Sequence, residues 1–146
     1  MTVRRAGPRD AAALCRLNAA FNGPGLADEA HIAQSLARQT AERAWILWID
    51  GRPAGFLCAQ LAHSLCYPSP SAEIAELYVE EWARRRGGAL ALIRAALAEL
   101  TAEGAQSARV LTGVRNGPAR ALYERAGFLP DDEVLYQLPL REPDRG

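Results

Sequence analysis

Apolar residues recur along this chain in two different rhythms, one close to the helical period and one alternating, and the switches between them outline the elements. Val3 to Ala6 reads as a short strand, after which Gly7-Pro8 breaks the chain and Asp10 stands as the N-cap of an amphipathic helix through Leu14, Leu17 and Phe21. Asn22-Gly23-Pro24-Gly25 ends that helix, and a second one is predicted from Asp28 to Gln39, with Ile32 and Leu36 on one stripe. Ala44 to Ile49 and Ala54 to Ala62 are strands on either side of Asp50-Gly51, a dipeptide suited to a tight hairpin turn. The Pro-rich stretch Tyr67 to Ser71 is a loop.

In the second half, Glu73 to Val79 reads as a strand. Leu90, Ile93, Leu97 and Leu100 recur at three and four, which predicts a long helix from Gly87 to Glu103 closed by Gly104. Ala108 to Val114 is expected to be a strand, and Asn116 to Ala126 a helix with Asn116 as N-cap and Gly127 just past its end. A last strand is expected at Val134 to Leu138, before a tail from Arg141 to Gly146. A mixed α/β order with an early hairpin and a later strand-helix-strand unit implies a mixed sheet flanked by helices. No internal repeat or linker divides the sequence, so residues 1–146 are read as one domain.

Composition narrows the function. The 146 residues carry 17 basic and 17 acidic side chains, and every basic one is arginine. An arginine-only, alanine-rich composition is of a bacterial kind. Zero net charge disfavours a nucleic-acid footprint, which would show a basic excess. The distribution is uneven: residues 1–83 have a net charge of −2, residues 84–125 of +5 and residues 126–146 of −3. A local basic patch on a neutral chain suits a small polyanion better than a long polymer. No apolar run approaches the ~20 residues of a membrane span and the N-terminus lacks a signal-peptide core, so a cytoplasmic protein is expected. Cys15, Cys58 and Cys66 lack metal-ligand spacing, only two histidines are present, and no metal site is predicted.

Chemistry concentrates between residues 73 and 90. The strand Glu73-Ile74-Ala75-Glu76-Leu77-Tyr78-Val79 is followed by Arg84-Arg85-Arg86-Gly87-Gly88-Ala89-Leu90, which opens the long helix. A helix start leaves backbone N–H groups unpaired at the positive end of the macrodipole, a natural seat for phosphate oxygens. The small residues keep side chains away from such a ligand, and the three arginines add charge and bidentate donors. On these residues alone, a solvated basic helix start is an equally good reading.

The spacing Arg84-x-x-Gly87-x-Ala89 after Leu77-Tyr78-Val79 resembles the acyl-CoA pyrophosphate signature of the GNAT N-acetyltransferase superfamily. Asn116-x-x-Ala119-x-x-Leu122-Tyr123 followed by Gly127-Phe128 is similar to that family's second motif at its usual distance downstream. Glu81 stands where members often carry proline, and Gly87-Gly88-Ala89 where many have Gly-x-Gly; neither change removes a backbone donor. The resemblance implies acetyl-CoA as acyl donor, its pyrophosphate on the N–H groups of residues 85–90 and its pantetheine arm paired like an added strand along Leu77 and Val79. A backbone N–H at Leu77 or Tyr78 would polarise the thioester carbonyl. Asn116 and Ala119 belong to the same cofactor-binding motif, and Tyr123 would protonate the departing thiolate.

A primary ammonium group with a pKa of ~10.4 must lose a proton before it attacks, so a carboxylate is expected nearby. Glu73 matches the place where some family members carry a glutamate base; Glu76 is the other candidate. On a regular strand these two face opposite sides of the sheet, and a bulge would change that. The family's acceptor site is bordered by loops equivalent to those containing Phe21, Asn22, His63 and Tyr67, which are therefore expected substrate contacts. His63 and Cys66 lack a third orienting group and are read as loop residues rather than as a nucleophile pair. The expected partner is a small-molecule or peptide amine; a homodimer is compatible with the family's habits. A non-catalytic acyl-CoA-binding module of the same shape is the alternative, since binding needs only the glycine-arginine loop. A dinucleotide-binding domain fits less well, because Glu80 to Arg86 separate the strand from its glycines.

Overall fold

The computed structural model describes residues 1–38 and 41–141. Five strands form one sheet in the order β1-β2-β3-β4-β5: β1 Thr2–Arg5, β2 Glu42–Ile49, β3 Arg52–Ala62, β4 Ser71–Val79 and β5 Ala108–Val110. The first three junctions are antiparallel and β4-β5 is parallel. The α-helices are α1 (Ala11–Asn22), α2 (Glu29–Ala37), α3 (Gly88–Ala102) and α4 (Gly117–Arg125), with short 3-10 turns at Pro8–Asp10 and Glu81–Ala83.

The hairpin between β2 and β3 turns on Asp50 and Gly51, both at positive φ (50° and 73°). Two successive left-handed residues match the right-handed twist of the flanking strands, and Asp-Gly adopts them readily. The sheet then buries both faces. Trp45, Leu47, Leu57, Ile74, Leu92 and Leu100 form the core between the sheet and α3. Leu14, Leu17, Ala44, Ile46 and Phe56 form a second core beneath α1, with Ile32 and Leu36 of α2 packed against it. Such burial on both faces explains why β2 reads as an almost continuous apolar run rather than a clean alternation.

The capping expected of Asn116 holds, since it accepts the Ala119 N–H at 3.2 Å, and Asp28, not anticipated as a cap, accepts the His31 N–H at 2.8 Å. Asp10 differs. It precedes α1, but its buried carboxylate makes no cap bond; instead it takes both Arg4 Nη atoms, at 2.7 and 2.9 Å, and the Gly7 N–H at 2.9 Å. The Arg4 hydrogen bonds hold Asp10 below the usual carboxylate range against the opposing effect of its burial.

Two strand expectations fail. The strand expected over Ala108 to Val114 stops at Val110, because Ile74–Val110 is the last β4-β5 pair and the two strands part beyond it. The strand expected at Val134 to Leu138 is absent: this stretch has no regular structure and stays exposed, with Tyr136 at 91%. Local β propensity makes a strand only where a ladder partner is present, and no strand among the described residues pairs with this segment. The predicted end of the second helix at Gln39 and most of the tail lie outside the described residues. Among the described residues no helix is long and apolar enough to cross a membrane.

Candidate active site

β4 is the element around which the site is built. On one side it pairs with β3 along its length, to Gly55–Val79; on the other it pairs with β5 only from Ala72 to Ile74. Residues 75–79 therefore present an unpaired main-chain edge, on the order of 16 Å at strand rise, to the opening between the parted strands. The Glu80 N–H donates to Ala54 C=O at 2.8 Å on the β3 side. Strand alternation then directs the main-chain groups of Leu77 and Val79 into the opening. Arg84 confirms that direction, because its Nε reaches the Val79 carbonyl at 2.9 Å.

Below the strand end the chain makes one short 3-10 turn, Glu81–Ala83, and enters α3. Arg85 (φ 65°) and Gly87 (φ 80°) are both left-handed. Left-handed residues in a turn of this kind can bring successive N–H groups together into a concave anion seat. The first ladder bond reaching into α3 is Ala91 N–H to Gly87 C=O, at 3.0 Å, so Gly88, Ala89 and Leu90 leave their N–H groups without a partner inside the helix. A Cβ built on Gly88 would overlap Leu47 Cδ2, so any side chain there would make the buried Leu47 side chain shift. The missing side chain lets the helix start sit directly on β2.

The two glutamates of β4 lie differently from the regular-strand expectation. Cys58 pairs with Glu76 and Ala59 with Ile74, leaving Ala75 as the extra residue of a bulge. Ile74, Leu77 and Val79 pack toward α3, whereas Cys58 and Tyr78 pack toward α1 and α2. Across the bulge Glu73 and Glu76 thus share the α1/α2 face. Glu73 Oε2 is held by Arg109 Nε and Nη2 of β5 at 3.2 and 3.1 Å. Glu76 has a looser contact, Asn22 Nδ2 at 3.5 Å, and lines a cavity of about 230 Å³ with Leu14, Asn18, Ile32, Phe56 and Cys58.

Phe21 and Asn22, expected near the acceptor, are brought to the same place. Phe21 stacks on Tyr78 with ring centroids 5.1 Å apart, and Asn22 reaches Glu76. His63 and Tyr67 are not brought there. Both are exposed in the β3-β4 loop, which joins β4 at the end opposite Val79. Residues that sequence reasoning missed are Asn18, Glu42 and Cys58; their only signal was an i, i+2 placement on strands and an i, i+4 step on α1. Burial pushes the Cys58 thiol well above its ordinary range, and the Glu42 and Glu76 carboxylates add to the shift.

Tyr123 sits on α4, half-buried, with its ring edge-on to Phe128 at 6.0 Å. It lines an open groove of about 740 Å³ beside β5 together with Leu97, Val110, Arg120 and Phe128. No residue of β4 lines that groove. Burial pushes the Tyr123 phenol up from its ordinary pKa, which keeps it a proton donor. Among the described residues there is no group of three or more His, Cys, Asp or Glu suited to a metal ion.

An anion seat at a helix start, beside the open edge of a strand that parts from its parallel neighbour, suits a ligand with a phosphate group and an extended arm. A model of the acetyltransferase (GNAT) family matches residues 12–128, and the chain belongs to that family. It is an N-acetyltransferase enzyme with a mixed sheet of that fold. The fold is similar to that of an aminoglycoside acetyltransferase from an uncultured soil metagenomic sample, solved with sisomicin: TM-score 0.85, 18% identity, 97% of this chain and 96% of that one covered. It is also similar to a ribosomal-protein-alanine N-acetyltransferase from Brucella melitensis biovar Abortus 2308, with TM-score 0.80, 21% identity and coverage of 96% and 100%. AAC(6')-Iy in complex with the bisubstrate analogue CoA-S-monomethyl-acetylneamine matches with TM-score 0.82, 22% identity and coverage of 94% and 97%. No curated protein matches the sequence.

Proposed function

We infer that the protein transfers the acetyl group of acetyl-CoA to a primary amine of a small molecule by direct attack in a ternary complex. The parting of β4 from β5 beside the curled start of α3 carries this reading. The diphosphate of the donor rests on the N–H groups of residues 85–90, with Arg85 and Arg86 supplying charge and Asn116 and Ala119 flanking the donor from α4. Its pantetheine arm lies along Leu77 and Val79. The Leu77 N–H, aimed into the opening, polarises the thioester carbonyl, a contribution of typically ~10²–10³ in rate.

Glu76 takes the proton of the acceptor ammonium, because the bulge turns it to the same face as the cavity while Arg109 occupies Glu73. The free amine then attacks the carbonyl carbon, the C–S bond breaks as Tyr123 gives a proton to the thiolate, and the second proton lost by the new amide nitrogen passes to solvent, from which the Tyr123 phenolate is reprotonated. A thiol pKa of about 8.5 makes that leaving group tolerable, so the acid assists without being indispensable. The solved relatives bound to sisomicin and to a CoA–neamine conjugate support an amine acceptor. Acetyl-CoA binding followed by calorimetry, and CoA release with a panel of amines, test the reading together. Gly87→Glu should abolish donor binding by setting a carboxylate against phosphate; full affinity in that variant would overturn the donor site.

A further inference from the structure

The open edge of β4 is not bare at its C-terminal end. Glu80 turns its N–H toward β3, so Val79 turns its carbonyl toward the opening, where the Arg84 Nε donates to it at 2.9 Å. The intervening 3-10 turn makes this contact possible: the Ala83 N–H reaches Glu80 C=O at 2.9 Å and the Arg84 N–H reaches Glu81 C=O at 3.3 Å, which folds the chain back on the strand end. Arg84 itself is extended (φ −69°, ψ 160°), and the left-handed turn of the anion seat begins only at Arg85. One residue thus joins the two halves of the donor site, its backbone leading into the seat and its side chain lying on the strand edge.

The guanidinium reaches beyond the carbonyl, with its Cζ 6.0 Å from the centroid of the Tyr78 ring, on which Phe21 stacks. Among the described residues no carboxylate pairs with Arg84. It is held by one hydrogen bond to a neutral carbonyl and by a cation–π approach at the outer limit of useful distance. Both are weaker than the charge-assisted, bidentate bonds that a guanidinium makes with phosphate oxygens. Unpaired strand edges are often shielded by charged side chains, and Arg84 shields this one at Val79.

We propose that Arg84 selects the acyl donor, by covering the Val79 carbonyl and giving it up to a donor that carries a diphosphate. This rests on the acetyl-transfer reading above and deepens it. The arm of the donor pairs along Leu77 and Val79, and the guanidinium stands on the carbonyl that one of its amide N–H groups would use. A diphosphate at residues 85–90 offers Arg84 a stronger partner close by, so the guanidinium leaves the carbonyl and the edge opens to the arm. A thioester without phosphate has nothing to give in exchange and must compete with Arg84 for the edge. The two ends of the donor therefore bind with positive coupling. Arg84 is then a specificity-determining residue.

Calorimetry with the two halves of the donor tests this: pantetheine supplies the arm without phosphate, and inorganic pyrophosphate supplies the diphosphate without the arm. In the wild type, saturating pyrophosphate should tighten pantetheine binding by about three- to tenfold, the effect of removing one competing hydrogen bond. In Arg84→Met, which keeps the aliphatic length without a donor group, pantetheine alone should bind at that tighter level and pyrophosphate should add nothing. The preference for acetyl-CoA over S-acetylpantetheine, read as a ratio of kcat/KM, should fall at least about tenfold in the same variant. Pantetheine affinity that pyrophosphate does not improve in the wild type, or that Arg84→Met does not improve in a variant that melts like the wild type, overturns the role of Arg84 while acetyl-CoA binding keeps the donor site standing. If the variant melts earlier, the wild-type measurement decides alone. Failure of the wild type to bind acetyl-CoA overturns both readings.

Discussion

Glu73 and Glu76 project from the same face of β4 because the bulge at Ala75 takes up the residue that regular alternation would have used to separate them. They nevertheless meet different surroundings. Arg109 holds Glu73 by two hydrogen bonds, whereas Glu76 borders the cavity and meets the Asn22 amide at 3.5 Å.

That contrast separates their roles in an experiment. Glu76→Gln should lower kcat/KM at neutral pH by roughly 10²–10⁴, the range of a positioned general base, and higher pH should restore part of the rate by supplying more free amine. Glu73→Gln should change it only a few-fold. If Glu73→Gln proves the more damaging, the proton passes through Glu73 instead.

Tyr123 must be protonated to act as an acid. Burial raises its pKa, so the protonated form persists to higher pH than an ordinary phenol at ~10 would allow. The kcat profile should therefore show no loss attributable to this group below about pH 10. Tyr123→Phe should lower kcat by at least about tenfold while acetyl-CoA affinity, measured by calorimetry, stays near the wild-type value. Unchanged turnover in this variant would remove Tyr123 from the reaction.

Gly55 controls how closely β3 approaches the end of β4. A Cβ placed there would come within 2.5 Å of the Tyr78 carbonyl oxygen and 3.1 Å of Val79 Cα, and a backbone neighbour has little freedom to yield. Gly55→Ala should cost about 3 kcal/mol, seen as a fall in Tm of roughly 6–12 °C. Since the displaced backbone includes Val79, KM for acetyl-CoA should rise as well. A Tm equal to that of the wild type would show that the two strands slide apart without penalty.

Acid should weaken the anchor between β1 and α1. Arg4 holds the folded-state pKa of Asp10 below its unfolded value, so the pair contributes fully above about pH 4 and loses its contribution as pH falls through the depressed folded value. Asp10→Asn should accordingly destabilise the protein in urea at pH 7, and the gap to wild type should narrow steadily below pH 4. A gap independent of pH would mean that Asp10 stabilises by shape rather than by charge. The exposed Arg5–Glu99 pair, by comparison, should contribute little at any pH.

Much of this protein is local, and local features are legible in a linear sequence. The Asp50-Gly51 turn, the Asn116 cap and Gly104 closing α3 each depend on the conformational freedom or hydrogen bonding of residues a few positions apart. The anion seat is equally local, because a helix start carries its own unpaired N–H groups wherever it folds. Tertiary structure decided what depends on partners distant in the chain. Val134 to Leu138 has strand-forming residues but no ladder to join, and β5 ends where β4 leaves it. The face that Glu76 occupies was set by one extra residue in the register with β3, and its cavity was assembled from two helices and three strands. Helix caps and turns are decided within one turn of chain; which carboxylate reaches a substrate is decided by pairing between strands, where a shift of one residue reverses every side chain beyond it.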